Sequence, residues 1–147
     1  MLSGLGTVRL TDEDYVALAE FRYRLRRFFA FSEEQARAAG LNPQQHQLLL
    51  AVRGALEAPT VGDLAERLAL RHHSTVELID RLEARGLVRR RRAAEDLRQA
   101  HVALTARGEA ALAKLSIAHR DELRRVAPEL IAALASLRTA KRKAAIR

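Results

Sequence analysis

The chain has 147 residues, of which 48% are hydrophobic and none is cysteine, and it carries a formal net charge of +8. The length suits one domain, alone or with oligomerisation helices, and the wealth of Ala and Leu favours helix; the lack of cysteine excludes disulfides, thiol sensing and thiolate metal sites. The positive balance would steer the chain toward a polyanion such as DNA, RNA or an acidic membrane surface, yet no apolar run approaches the roughly 18 residues a membrane span needs. The first residues, "MLSGLGTVRLTDEDY", lack the basic flank and apolar stretch of a secretory signal, so a soluble cytoplasmic protein without a membrane partner is expected.

The first element begins at "TDED", where Thr11 is an N-cap and the acids favour the positive end of the helix dipole. Tyr15, Leu18, Phe21, Leu25, Phe28 and Phe29 then recur at three-to-four spacing, one apolar stripe on a long helix that Gly40 ends. A second helix opens at Asn42, with Pro43 in its first position, Gln45 completing a capping box, and Leu48, Leu49 and Val52 facing inward. Thr60 caps a third helix, with Asp63 three residues on and Val61, Leu64, Ala65 and Leu68 inside. A fourth follows after a few residues, with Thr75, Leu78, Ile79 and Leu82 as its buried stripe and Gly86 as its stop. Two short amphipathic helices with a tight link are the helix-turn-helix pattern.

After Gly86 the period changes. "LVRRRR" and "QAHVALT" are short extended segments around "AAEDLR", with Val102 and Leu104 on one face and His101 and Ala103 on the other. The arginine run suits an exposed hairpin, and a helix-turn-helix followed by such a hairpin is a winged helix. Thr105 caps a long helix carrying Ala111, Leu112, Leu115, Ala118 and Leu123; Pro128 is expected to interrupt it and start a further helix with Leu130, Ile131, Leu134 and Leu137. The basic tail is expected to fray.

In a winged helix the second helix of the pair enters the DNA major groove, and its N-terminal residues meet base edges. Here those residues are Arg71, His72, His73 and Ser74, with Glu77 and Asp80 further along the outward face. Arg pairs bidentately with guanine for about 1–3 kcal/mol of discrimination. The blander reading of "HHSTVE" is a capping box of Ser74 and Glu77. Glu77 and Asp80 would repel phosphate unless paired with Arg71, Arg81 or a cytosine amino group. In the hairpin, Arg89, Arg90, Arg91 and Arg92 alternate around the strand, so about half of them face the duplex. Asp96 and Arg98 stand two apart, on one side of an extended segment, where the carboxylate holds the guanidinium in one rotamer suited to the narrow minor groove.

"DRLEARGLV", "DLR" at the wing tip and "VALTARG" leading into the next helix resemble the MarR family of bacterial transcription regulators, and the likeness in organisation extends over nearly the whole chain. The resemblance implies a mainly α fold with a small two- to three-stranded β wing: a winged helix-turn-helix with long N- and C-terminal dimerisation helices. It places dimerisation helices at 1–40 and 106–147 and the DNA-binding region at 41–105. It implies a homodimer that reads a pseudo-palindrome in double-stranded DNA, with Asp96 and Arg98 as the wing-tip pair and His72, His73 and Ser74 in the major groove. Arg71 and the two histidines replace the small polar and single basic residues usual there, so no operator sequence carries over.

By the same resemblance a small aromatic or phenolic effector releases the DNA, and Arg22, Phe28, Phe29 and His46 are the residues that would contribute to its pocket. Aromatics at helical spacing are more often core, and the competing reading of His46 is a surface or satisfied polar residue. No histidine pair lies at helical ligand spacing, and neither a metal nor another cofactor is expected. An enzyme is not expected: no phosphate-cradling glycine loop or organised nucleophile appears. The rival reading is a non-specific, architectural DNA-binding protein that uses the basic wing and tail without base readout.

Overall fold

The computed structural model describes residues 9–93 and 96–144, the side chains of 93, 96–98 and 138–144 excepted. The elements run α1 (Asp12–Ala38), α2 (Pro43–Arg53), α3 (Val61–Leu68), α4 (His72–Ala84), β1 (Val88–Ala93), β2 (Asp96–Leu104) and α5 (Ala106–Ala144). They form two compact units: the described residues up to Phe31 together with those from Arg120 onward, and Ser32–His119. The last turns of α1 and the first turns of α5 pack within the second unit.

In the unit Ser32–His119 each helix starts where a side chain can satisfy its free N–H groups. Asn42 accepts from Gln45 N at 2.8 Å while Gln45 Oε1 accepts from Asn42 N at 3.0 Å. Thr60 and Asp63 make the same reciprocal pair at 3.1 and 2.9 Å. The backbone hydrogen bond from Thr60 holds the Asp63 carboxyl below its ordinary range. The link between α3 and α4 turns on Ala69 at φ 52°, whose N–H returns to the Ala65 and Glu66 carbonyls. Gly86, at φ 70°, makes the corresponding turn out of α4, a conformation that a residue without Cβ adopts freely. One apolar cluster fills the unit: Leu48, Leu49 and Val52 from α2, Leu64 from α3, Leu78, Ile79 and Leu82 from α4, Val88 and Val102 from the strands, and Leu112 and Leu115 from α5.

β1 and β2 form an antiparallel pair in register from Val88↔Leu104 to Arg92↔Ala100, with a shift after Arg92. A rudimentary third strand lies along β2, where Thr60 bridges His101 and Val102 N donates to Pro59 O at 2.9 Å. Thr105 joins the wing to α5. Its hydroxyl donates to Gly86 O at 2.6 Å and accepts from Gly108 N at 3.1 Å. Gly108 lies so near the α4–β1 turn that an added Cβ would fall 2.0 Å from Leu87 O, so only glycine fits.

The other unit holds α1 up to Phe31 and α5 from Arg120. Thr11 and Asp14 cap α1 reciprocally, as the "TDED" run implied. Arg24 pairs with Glu20 at 2.7 Å and with Glu129. The expected break at Pro128 does not occur: α5 is a single helix of 39 residues with Pro128 inside it. Proline removes one N–H and crowds the carbonyl four residues back, and at this exposed position water can solvate that carbonyl, so the flanking turns carry the helix through. Among the described residues no helix is long and apolar enough to cross a membrane.

Candidate nucleic-acid interface

The interface is built on α4. Thr75, Leu78, Ile79 and Leu82 are all buried, the stripe that the sequence indicated, and they fix the helix by one face. The opposite face is open. Arg71, His72, His73 and Glu77 are exposed and Ser74 is half-buried. Arg71 is the N-cap residue with extended backbone, and no side chain caps the helix. The expected box of Ser74 and Glu77 is absent because α4 starts three residues earlier, at His72 with Arg71 as N-cap, which puts both residues inside the helix. Thr75 uses its hydroxyl on Arg71 O at 3.0 Å. The first turn of α4 therefore presents uncapped N–H groups, the positive end of the dipole and three basic side chains together, a combination suited to a phosphate or a base acceptor.

The wing splits its arginines by strand alternation. Val88 is buried and Arg90 half-buried on one side of β1, while Arg89 and Arg91 on the other side are exposed. Arg90 points back to α4, where it meets Asp80 and Glu83. Asp80 is thus paired with a residue that the sequence pattern did not suggest, rather than with Arg71 or Arg81. Glu77 makes no ion pair among the described residues. The side chains of Asp96 and Arg98 lie outside the described residues; the backbone of both belongs to β2 at the tip-proximal end.

The four residues considered for an effector fall in different units. Arg22 and Phe29 are exposed and Phe28 is half-buried on the part of α1 that packs with the end of α5, and the two phenyl rings are 5.9 Å apart. His46 belongs to the winged unit and is buried, with its ring 4.7 Å from that of His119. His119 in turn contacts Leu115 O through Nδ1 and Ser32 Oγ through Nε2, each at 2.7 Å. Burial, then the charge on His119, pushes the His46 pKa below its ordinary value. Sequence spacing missed this pair because its members lie on α2 and α5; the buried-stripe position of His46, three before Leu49, was the one available signal.

Two short helices joined by a tight turn, with the second exposed at its N-terminus and followed by a basic two-stranded hairpin, define a winged helix-turn-helix protein. Residues 39–99, from the turn before α2 to the middle of β2, match the MarR family. Among solved structures the chain is similar to AbsC, a MarR family transcriptional regulator from Streptomyces coelicolor, at 25% identity and a TM-score of 0.67 over 81% of each chain. It is similar to the transcriptional repressor CouR, bound to a 23-mer DNA duplex, at 29% identity and a TM-score of 0.62, covering 79% of this chain and 87% of that one. It shares its fold with Staphylococcus aureus MarR in complex with salicylate and kanamycin, at 16% identity and a TM-score of 0.64, covering 76% and 74%. No curated protein sequence matches significantly. The stretch from the end of α1 through the middle of the wing is thus what resembles the MarR family, and solved structures similar over most of the chain include MarR family transcriptional regulators.

Proposed function

We propose that the chain is a cytoplasmic, homodimeric repressor that binds double-stranded DNA sequence-specifically at a pseudo-palindromic operator. The observation that carries this reading is the uncapped, basic first turn of α4, standing free on a helix whose other face is buried in the core. Arg71, His72 and His73 would meet base edges in the major groove, with Ser74 and Glu77 behind them. Arg89 and Arg91 would reach flanking phosphates, and Arg98, ordered by Asp96, would enter the minor groove. The CouR complex with duplex DNA supports the partner class. The second copy is supported by the apolar face of α1 and α5, where Tyr15, Val16, Leu18, Phe29, Ile131 and Leu134 are exposed.

A small aromatic acid is the effector class we propose. Arg22 would take its carboxylate and Phe28 and Phe29 its ring; His46, buried against His119, is left out of this set. Such a ligand would release DNA by preferring one spacing of the two recognition helices.

Selection of bound duplexes from a random library tests the DNA reading. Inverted half-sites about one helical turn apart, 10–10.5 bp centre to centre, are expected. Equal affinity for selected and random duplexes would leave a non-specific, architectural binder instead. Titrating salicylate into the operator complex tests the effector class: dissociation by the wild type and resistance of Arg22→Ala are expected.

A further inference from the structure

β1 is an edge strand, so every second N–H along it points away from β2 and needs a partner outside the sheet. At the facing pair Arg90↔Val102 both N–H groups point outward. That of Val102 donates to Pro59 O, and that of Arg90 donates to Glu83 Oε2 at 3.0 Å. The Arg90 side chain turns to the same helix. Nη1 donates to Glu83 Oε1 at 3.0 Å, and Nη2 donates to Asp80 Oδ1 and, at 3.5 Å, to Val76 O. Val76, Asp80 and Glu83 follow one another by four and three residues, so they form one stripe of α4. One wing residue therefore grips two turns of the recognition helix through its main chain and its guanidinium at once. The Arg90 side chain is 24% exposed, whereas the Asp80 and Glu83 side chains it holds are 57% and 42% exposed. Its neighbours Arg89 and Arg91 are exposed, and their side chains make no hydrogen bond or ion pair among the described residues.

These contacts take three of the five guanidinium N–H donors and turn the group toward α4. They also offset two carboxylates on the helix that the proposed function places against the duplex, where unpaired acids would repel phosphate. We propose that Arg90 is a positioning residue for DNA readout and not a phosphate ligand: it sets the angle between α4 and the wing and masks Asp80 and Glu83. The proposal rests on the DNA-binding reading above.

The test is a set of fluorescence-anisotropy titrations of a selected operator duplex across a salt series, with wild type, Arg89→Gln, Arg90→Gln, Arg90→Lys and the triple variant Arg90→Gln/Asp80→Asn/Glu83→Gln. A lost phosphate contact lowers the slope of log affinity against log salt by about 0.9. Arg89→Gln is expected to show that loss. Arg90→Gln is expected to bind on the order of tenfold more weakly at unchanged slope, the scale of coupling within one charge network. Arg90→Lys is expected to bind as weakly, because one ammonium cannot span two carboxylates and a carbonyl. The triple variant should recover most of the affinity, since no unpaired carboxylate remains. Circular dichroism and thermal melting establish that each variant is folded; if Arg90→Gln is not, the Lys and triple variants decide. A slope loss in Arg90→Gln with wild-type affinity in Arg90→Lys would make Arg90 a phosphate contact and overturn the proposal. So would wild-type affinity in Arg90→Gln, or a triple variant no better than Arg90→Gln. A wild type that binds no duplex defeats the DNA-binding reading and this proposal with it; a wild type that binds, with any of the contrary variant results, defeats the proposal alone.

Discussion

In α4 and in the first five turns of α1 the same kind of apolar stripe meets two different fates. Thr75, Leu78, Ile79 and Leu82 are all buried within the winged unit. On α1, Tyr15 is 58% exposed, Leu18 44% and Phe29 57%. In the unit that contains them, Ala17 and Ala133 are the buried hydrophobic residues among those described. A three-to-four apolar period thus reports that a face seeks cover, and leaves open whether this chain or a second copy supplies it. The winged unit closes its core on itself, whereas the α1–α5 unit offers its apolar side chains outward.

The sharpest way to break that contrast is to empty each face in turn. Ile79→Ala removes a fully buried side chain from the winged core, and should cost about 2–5 kcal/mol in denaturant unfolding, whatever the protein concentration. Ile131→Asp, at a 65% exposed position of α5, should scarcely touch the winged unit yet raise the dissociation constant of the proposed dimer at least about thirtyfold, the ~2 kcal/mol of an interface hot spot. Sedimentation across a concentration series reads it, and an unshifted dimer would move the interface off this face. Thr60→Ala removes one half of a capping box and should lower stability by about 1 kcal/mol, measured by thermal unfolding with the operator absent.

Mild acid should probe the winged unit through His46. Above pH 6.5 the His46 ring is neutral both folded and unfolded. Below 6.5 the unfolded ring takes up a proton that the buried one, with its depressed pKa, resists, so stability falls as pH drops from 6.5 through the folded pKa. Urea midpoints measured across that window should decline for the wild type and decline less for His46→Gln; parallel curves would remove His46 from the account. The smallest effect is expected at Leu56, the fully exposed residue of the α2–α3 loop: Leu56→Ser should change stability by no more than about 0.5 kcal/mol.

The parts of the fold that were legible from residue order are those set by local physics. Thr11, Asn42, Thr60 and Thr105 cap their helices because a side-chain oxygen on the residue just before a helix reaches the free N–H groups of its first turn. The core stripe of α4 and the hairpin after Gly86 were legible from periods of 3.6 and 2. Local reasoning failed where two local rules compete. Ser74 and Glu77 have the spacing of a capping box, but Arg71 and the Ala69 turn start the helix earlier. Pro128 has the chemistry of a breaker, but the long helix on either side outweighs one lost hydrogen bond.

The site was legible in outline for the same reason: which residues lie on the open face of α4 and which arginines alternate along β1 follow from period alone. That Arg90 is held by Asp80 and Glu83, and that His46 meets His119, did not. By itself the sequence determined the elements, their capped ends, the face each one buries and the positive charge at the wing. The tertiary structure alone decided which charges are already spoken for, because pairing between α4 and β1, or between α2 and α5, depends on how separate elements pack, and no spacing along the chain encodes that distance.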